Sequence, residues 1–181
     1  MNGYSGFLTV NRSTRSHLFF LLQISETVTN STPLVLWLQG GPGMPSTYGA
    51  FKEVGTHYVL KNGKQKARLI PNKERWTKEA HMLFIDNPVG TGYSFTEDDN
   101  GYTFDDEHIA VNLEDALKQV KFIQIYWCIF FFFQICSLMP HIVPGSAANL
   151  SVFIFGESYG GAYAVSLANK ILQPSGGKNS Q

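Results

Sequence analysis

The strongest constraint on how this chain can fold lies near its end. An apolar run, Val152-Phe153-Ile154-Phe155, leads into Gly156-Glu157-Ser158-Tyr159-Gly160, and a helix-patterned stretch follows from Ala162 to Leu172. Strand, Gly-x-Ser-x-Gly and helix in succession is the context of a nucleophile elbow, a sharp turn that pushes the serine hydroxyl out to where a carbonyl can reach it. Glycines flank the turn because a Cβ would obstruct it. The pentad alone also fits a tight βα turn with an idle serine, so its weight comes from the strand before it and the helix after it.

The rest of the chain alternates in the same way. Phe7 to Val10 and Leu18 to Ile24 read as antiparallel neighbours joined by a polar turn, Asn11 to Ser16. Pro33 opens Leu34-Val35-Leu36-Trp37-Leu38, a continuous apolar run of buried-strand type that Gly40-Gly41-Pro42-Gly43 ends abruptly. Lys61 to Lys78 carries seven Lys or Arg and reads as a solvated loop or hairpin; His81 to Asp86 is the next buried strand, broken at Asn87-Pro88-Val89-Gly90. From Asp105 to about Tyr126 the spacing predicts a helix, with Ile109, Leu113, Ala116, Leu117, Val120 and Ile123 on one face and Asp105, Asp106 and Glu107 at its positive end. In the helix after the elbow, Ala162, Val165, Leu167, Ala168 and Ile171 are the expected buried positions. Strands alternating with helices imply an α/β domain with a largely parallel sheet.

Composition excludes some partners. The 181 residues carry no net charge, with a pI near 7.0, and 44% are hydrophobic. Neither a nucleic acid nor an acidic partner is indicated. Cys128 and Cys136 form no metal motif and say little about redox compartment. Asn11-Arg12-Ser13, Asn30-Ser31-Thr32 and Asn149-Leu150-Ser151 match the N-glycosylation acceptor pattern, which matters only in a secreted protein. The opening Met1-Asn2-Gly3-Tyr4 lacks the charged start and apolar region of a signal peptide. Phe122 to Met139 is apolar on every side but is interrupted by Gln124 and Gln134. It falls short of the ~20 apolar residues of a membrane span and reads as an extension of the helix or as an inserted segment.

A second chemical signal precedes the elbow. Gln39-Gly40-Gly41-Pro42-Gly43 follows a buried strand. A developing oxyanion needs two preorganised N–H donors about 3 Å away, and glycines let the backbone approach that closely. The residue after the nucleophile, Tyr159, would give one donor and the glycine loop the other.

Trp37-Leu38-Gln39-Gly40-Gly41-Pro42-Gly43, the block from Asp86 to Phe95 and Gly156-Glu157-Ser158-Tyr159-Gly160-Gly161 together resemble the serine carboxypeptidase family. Tyr4 to Val10 is similar to that family's N-terminal strand, and Gln39 with Asn87-Pro88 is similar to its vitellogenic-like branch. The resemblance covers about residues 3 to 126 and 150 to 172. It implies an α/β-hydrolase fold, an incomplete one over residues 1–181 that stops after the elbow helix, and a secreted or lysosomal location. It implies Ser158 as nucleophile and Gly41 and Tyr159 as oxyanion donors. It also implies Gln39, Gly40, Glu53 and Glu157 as the group that binds the terminal carboxylate of a peptide substrate. Clustered carboxylates hold one another's pKa up, and a protonated Glu can donate to a carboxylate; peptidase action is therefore expected at acidic pH. No cofactor or metal is implied, since acyl transfer through serine needs none.

The departures carry their own expectations. Met44-Pro45-Ser46 stands where the family usually has a small residue and two serines, and Pro45 restricts the backbone beside the glycine loop. Trp127 to about Ala148 reads as an insertion foreign to the family. His17, His57, His81, His108 and His141 all precede Ser158, and no His, Asp or Glu follows it. The family's acid and base lie downstream, so this polypeptide is expected to turn over substrate poorly. Another α/β-hydrolase (esterase, aminopeptidase or acyltransferase) and a non-catalytic peptide binder remain open alternatives.

Overall fold

The computed structural model describes residues 2–29, 31–61, 63–64, 66–131 and 151–173. In chain order the elements are β1 (Gly3–Asn11), β2 (Ser16–Gln23), β3 (Leu34–Leu38), α1 (Thr47–Lys52), β4 (His57–Leu60), β5 (Arg68–Pro71), β6 (His81–Ile85), α2 (Asp106–Phe131), β7 (Val152–Gly156) and α3 (Gly160–Leu172). Five strands form one sheet in the order β1-β2-β6-β3-β7. The β1–β2 and β2–β6 pairs are antiparallel, whereas β3 runs parallel to both β6 and β7. The basic stretch after Leu60 is the hairpin β4–β5, an antiparallel pair apart from the main sheet.

The two central strands are buried at every position, as their unbroken apolar runs require. Successive side chains in a strand point to opposite faces. Leu34, Leu36 and Leu38 therefore join Leu83 and Ile85 on one face, packed by Ile109, Leu113 and Leu117 of α2 and by Tyr163 and Leu167 of α3. Val35 and Trp37 join Met82 and Phe84 on the other, packed by Ala50, Val54 and Trp76. Full burial of each such Leu is worth about 1.5–3 kcal/mol. This two-sided core fixes the C-terminal ends of β3 and β6, where the loops of interest begin.

Three expectations need correction. Asp105 stands outside α2 and caps it: its carboxylate accepts from the His108 N–H at 2.9 Å, so the three-acid start is a cap plus two first-turn residues. The helix runs on to Phe131, past the expected end, and takes in residues 127–131 of the proposed insertion. Residues 132–148 lie outside the described residues. On α3 the buried residues are Gly160, Tyr163 and Leu167, while Val165 (71%) and Ile171 (48%) are exposed. The helix buries a narrow stripe flanked by partly buried alanines (Ala162, Ala164, Ala168), and its larger apolar side chains Val165, Ile171 and Leu172 stay open. β7 bonds β3 on one side only among the described residues and leaves Phe153 and Phe155 half open, Phe155 meeting the Trp76 ring edge-on.

Candidate active site

The elbow begins where β7 ends. Gly156 sits so close to the start of α3 that a Cβ there would lie 2.1 Å from the Gly160 carbonyl. Ser158 has φ +55°, the left-handed region that a side chain with a Cβ rarely adopts. The Glu157 N–H bonds the Leu38 carbonyl at 3.0 Å, and the Gly160 and Gly161 N–H groups close the turn onto Glu157 and Ser158. The reversal is thus tied to the end of β3.

The glycine loop meets the elbow directly. A Cβ on Gly40 would lie 2.6 Å from both the Glu157 carbonyl oxygen and the Tyr159 nitrogen, and 3.0 Å from the Ser158 Cβ. Only a glycine permits that approach. Gly41 follows at φ +112°, and the Met44 N–H bonds the Gly40 carbonyl at 2.9 Å, which folds the loop back on itself. Pro45 fits this turn: Ser46, next to it, accepts the Gln39 N–H on its hydroxyl at 3.1 Å. Pro45 thus leaves the Ser46 hydroxyl in place to hold the start of the loop.

Gln39 is buried and wired at both ends. Its Oε1 accepts from the Trp37 indole at 3.0 Å, which fixes the amide's orientation. Its Nε2 donates to Glu157 Oε2 at 2.8 Å and reaches Glu53 Oε1 at 3.5 Å. Burial raises the Glu53 carboxyl above the ordinary glutamate range; the neighbouring Glu157 carboxylate adds to this and the Gln39 hydrogen bond opposes it. Glu53 Oε2 is buried and has no partner among the described residues. Gln39, Gly40, Gly41, Glu53, Glu157, Ser158 and Tyr159 thus come together at the ends of β3 and β7, across sequence separations of more than a hundred residues.

Asp86 is a site residue that sequence reasoning quoted but gave no role. It is fully buried, and burial raises its carboxyl despite hydrogen bonds from the Thr47 and Tyr93 N–H groups at 2.9 and 3.1 Å. It ties the first turn of α1, which carries Glu53 behind it, to the 86–95 loop. A cue was present in the sequence: an Asp ending an apolar strand, with Gly92 near by. A Cβ on Gly92 would lie 2.2 Å from the Asp86 carboxylate.

Ser158 Oγ has no hydrogen bond among the described residues. His17 bonds Thr9 and stacks on Phe95, His57 bonds Thr56, His81 accepts from the Ser25 N–H, and His108 pairs with Asp105. His141 lies outside the described residues.

A mixed sheet carrying a strand–serine–helix elbow at its C-terminal edge, with helices on it, is an α/β-hydrolase fold. It superposes on the crystal structure of Kex1(delta)p, a prohormone-processing carboxypeptidase from Saccharomyces cerevisiae, with a TM-score of 0.71 and 28% identity, over 94% of this chain and 34% of that one. The sequence model of the serine carboxypeptidase family (Peptidase_S10) matches residues 1–181, and the chain belongs to that family. Among its relatives, the vitellogenic carboxypeptidase of Aedes aegypti is 36% identical over 178 residues, which cover 96% of this chain and 33% of that protein. The venom serine carboxypeptidase of Apis mellifera is 38% identical over 171 residues, 94% of this chain and 32% of that protein. The chain spans about a third of the length of the curated relatives it matches.

Proposed function

We propose that this chain supplies the nucleophile, the oxyanion donors and the terminal-carboxylate clamp of a peptidase that removes residues from peptide C-termini. The observation that carries the reading is Gln39 held between Glu157 and Glu53, directly beside the Gly40–Ser158 contact. Ser158 Oγ attacks the carbonyl of the last peptide bond. The Gly41 and Tyr159 N–H groups stabilise the oxyanion; collapse breaks the C–N bond, the departing amine takes up the proton that Ser158 Oγ gave to a base, and an acyl-serine is left for water to hydrolyse. Gln39 Nε2, the Gly40 N–H and a protonated Glu53, whose carboxyl burial and the Glu157 carboxylate hold above the ordinary range, donate to the substrate's terminal carboxylate. Ionised, Glu53 would repel it, so binding favours acid pH. Attack requires a general base, and the described residues place none at Ser158.

The same reading places the protein in the secretory pathway. Support comes from relatives named for venom and for vitellogenesis and from a solved relative that is a prohormone-processing carboxypeptidase. No described helix is long and apolar enough to cross a membrane.

The test is a titration of the 181-residue chain with a short peptide in free-acid and C-terminally amidated forms. The free acid should bind at least about tenfold more tightly, the size of a lost charge-assisted hydrogen bond, and the preference should fade as pH rises. Equal affinity for the two forms would rule the clamp out.

A further inference from the structure

We propose that a row of aromatic rings beside the glycine loop, Tyr93, Phe19, Phe7 and Phe95, is an exosite for an apolar residue of the peptide substrate, about three to five positions ahead of the scissile bond. The proposal rests on the peptide-end reading given above. In the antiparallel β1–β2 pair, Leu8 opposite Leu18 goes into the core with α2. Their neighbours therefore go to the other face, Phe7 opposite Phe19 and Thr9 opposite His17. The side chains that cover that face, Ala50, Val54 and Trp76, pack with β3 and β6. Next to the 86–95 loop the rings pack on one another instead. Centroids are 5.0 Å apart for Tyr93 and Phe19, 5.5 Å for Phe19 and Phe7, and 5.4 Å for Phe7 and Phe95.

The row is open and rigid. Phe7, Tyr93 and Phe95 are 53%, 68% and 41% exposed, and none of the four rings carries a charge. Exposed apolar surface of this extent marks a binding surface. Phe95 exchanges two backbone hydrogen bonds with His17, at 2.8 and 3.0 Å, and stacks on its ring. The Ser94 hydroxyl accepts the Phe19 N–H at 2.8 Å and donates to the Asp86 carbonyl at 2.6 Å. The rings are thus fixed in advance, and little side-chain freedom is lost when a ligand arrives.

The row is continuous with the candidate active site. The Asp86 carboxylate accepts from both the Thr47 N–H, at the start of α1, and the Tyr93 N–H. A Cβ on Gly92 would lie 2.7 Å from the Pro45 Cβ, so the segment bearing Tyr93 touches the end of the glycine loop. Met44, just before Pro45, is exposed. From β3, where the glycine loop begins, β2 and β1 are the second and third strands across. At about 4.8 Å per strand, Phe19 and Phe7 lie about 10 and 14 Å from it. An extended peptide covers about 3.3–3.6 Å per residue, which sets the position of the residue that reaches the rings. The occupant is the substrate's own upstream segment. A peptide already held by its C-terminus meets the rings as an intramolecular step, so weak apolar contact adds to its affinity.

The test is a calorimetric titration of the 181-residue chain at acid pH. The ligands are free-acid peptides of about ten residues, in which one Phe moves stepwise through a Gly-Ser background while the C-terminal residues stay fixed. Affinity should rise about tenfold when the Phe stands about three to five residues ahead of the scissile bond, the worth of half-burying such a ring, and should fall back on either side. Phe7→Ser and Tyr93→Ser, at exposed positions outside the clamp, should remove the rise and leave the affinity for the all-Gly-Ser peptide unchanged. A flat profile on the wild-type chain, with the preference for a free C-terminus intact, sinks the exosite and leaves the clamp standing. A rise wherever the Phe is placed, equal for amidated peptides, means that the rings act independently of the clamp, and both readings fall. A dimer that the two Ser variants convert to monomer means that a second copy covers the rings, which also overturns the proposal.

Discussion

Gln39 and Ser158 lie on adjoining segments and are treated very differently by the fold. Gln39 is buried, its backbone N–H is held by Ser46, and both ends of its amide are bonded, to Trp37 on one side and to Glu157 and Glu53 on the other. Ser158 projects from a strained turn, and its hydroxyl bonds nothing among the described residues. The contrast separates two tasks. Recognition of a terminal carboxylate, the role proposed for Gln39, Glu53 and Glu157, needs a rigid, preorganised set of donors, and these three side chains are brought together from the ends of β3, α1 and β7. Activation of a hydroxyl needs a base, which comes from none of these elements.

The glycine loop meets the elbow backbone most tightly at Gly40, so the largest effect is expected there. Gly40→Ala places a Cβ against two backbone atoms of the elbow, neither of which can swing aside as a flexible side chain would. Overpacking of this kind costs about 1–3 kcal/mol, measurable as a drop in the denaturant midpoint, and it should also abolish the preference for a free C-terminus. Gly161→Ala is the matched control. It lies one turn away with nothing within 4 Å of its Cβ, and as a helical Gly it should be neutral or gain about 0.5–1 kcal/mol. If the two substitutions behaved alike, the contact between loop and elbow would not be what holds the halves together.

The next effect is one of slope. Glu53 has a raised folded-state pKa. Its contribution to stability is fully present below the ordinary glutamate value and is lost as pH rises through the raised one. Asp86 is shifted in the same direction, so the wild-type chain combines both. Glu53→Gln should remove the Glu53 part and leave that of Asp86 and the opposing parts of His81, Glu26 and Asp105, so the stability of the wild type relative to the variant should fall from acid to neutral pH in a series of urea melts. An unchanged slope would mean that Glu53 titrates as it does in the unfolded chain.

The sequence foretold the middle of this molecule better than its edges, for physical reasons. Leu34–Leu38 and His81–Ile85 are legible because a strand buried on both faces has nowhere to put a polar residue. Gly40 and Gly156 are legible because a backbone that must come within van der Waals contact of another excludes every other residue type. Val165 and Ile171 misled because helical periodicity reports which residues are apolar, not which neighbour arrives to cover them. Asp105 misled because three consecutive acids look alike until backbone geometry makes one of them a cap. The link from Trp37 to Gln39, and those from Asp86 to Thr47 and Tyr93, could not be read at all, since each depends on how separate segments meet.

The smallest expected effect is on the serine side and has the opposite sign. A residue with a Cβ held at φ +55° carries a backbone cost of roughly 1–2 kcal/mol, and no hydrogen bond of the Ser158 hydroxyl offsets it. Glycine adopts that conformation freely but loses more backbone entropy on folding, which returns roughly 0.5–1 kcal/mol of the gain. Ser158→Gly should therefore stabilise the chain by about 0–1.5 kcal/mol, read as a small rise in the denaturant midpoint at constant slope. Binding of the free-acid peptide should be unchanged, because the clamp residues are untouched. A loss of stability would mean that the Ser158 side chain makes a supporting contact, and the contrast between a wired recognition half and an unsupported nucleophile would have to be withdrawn.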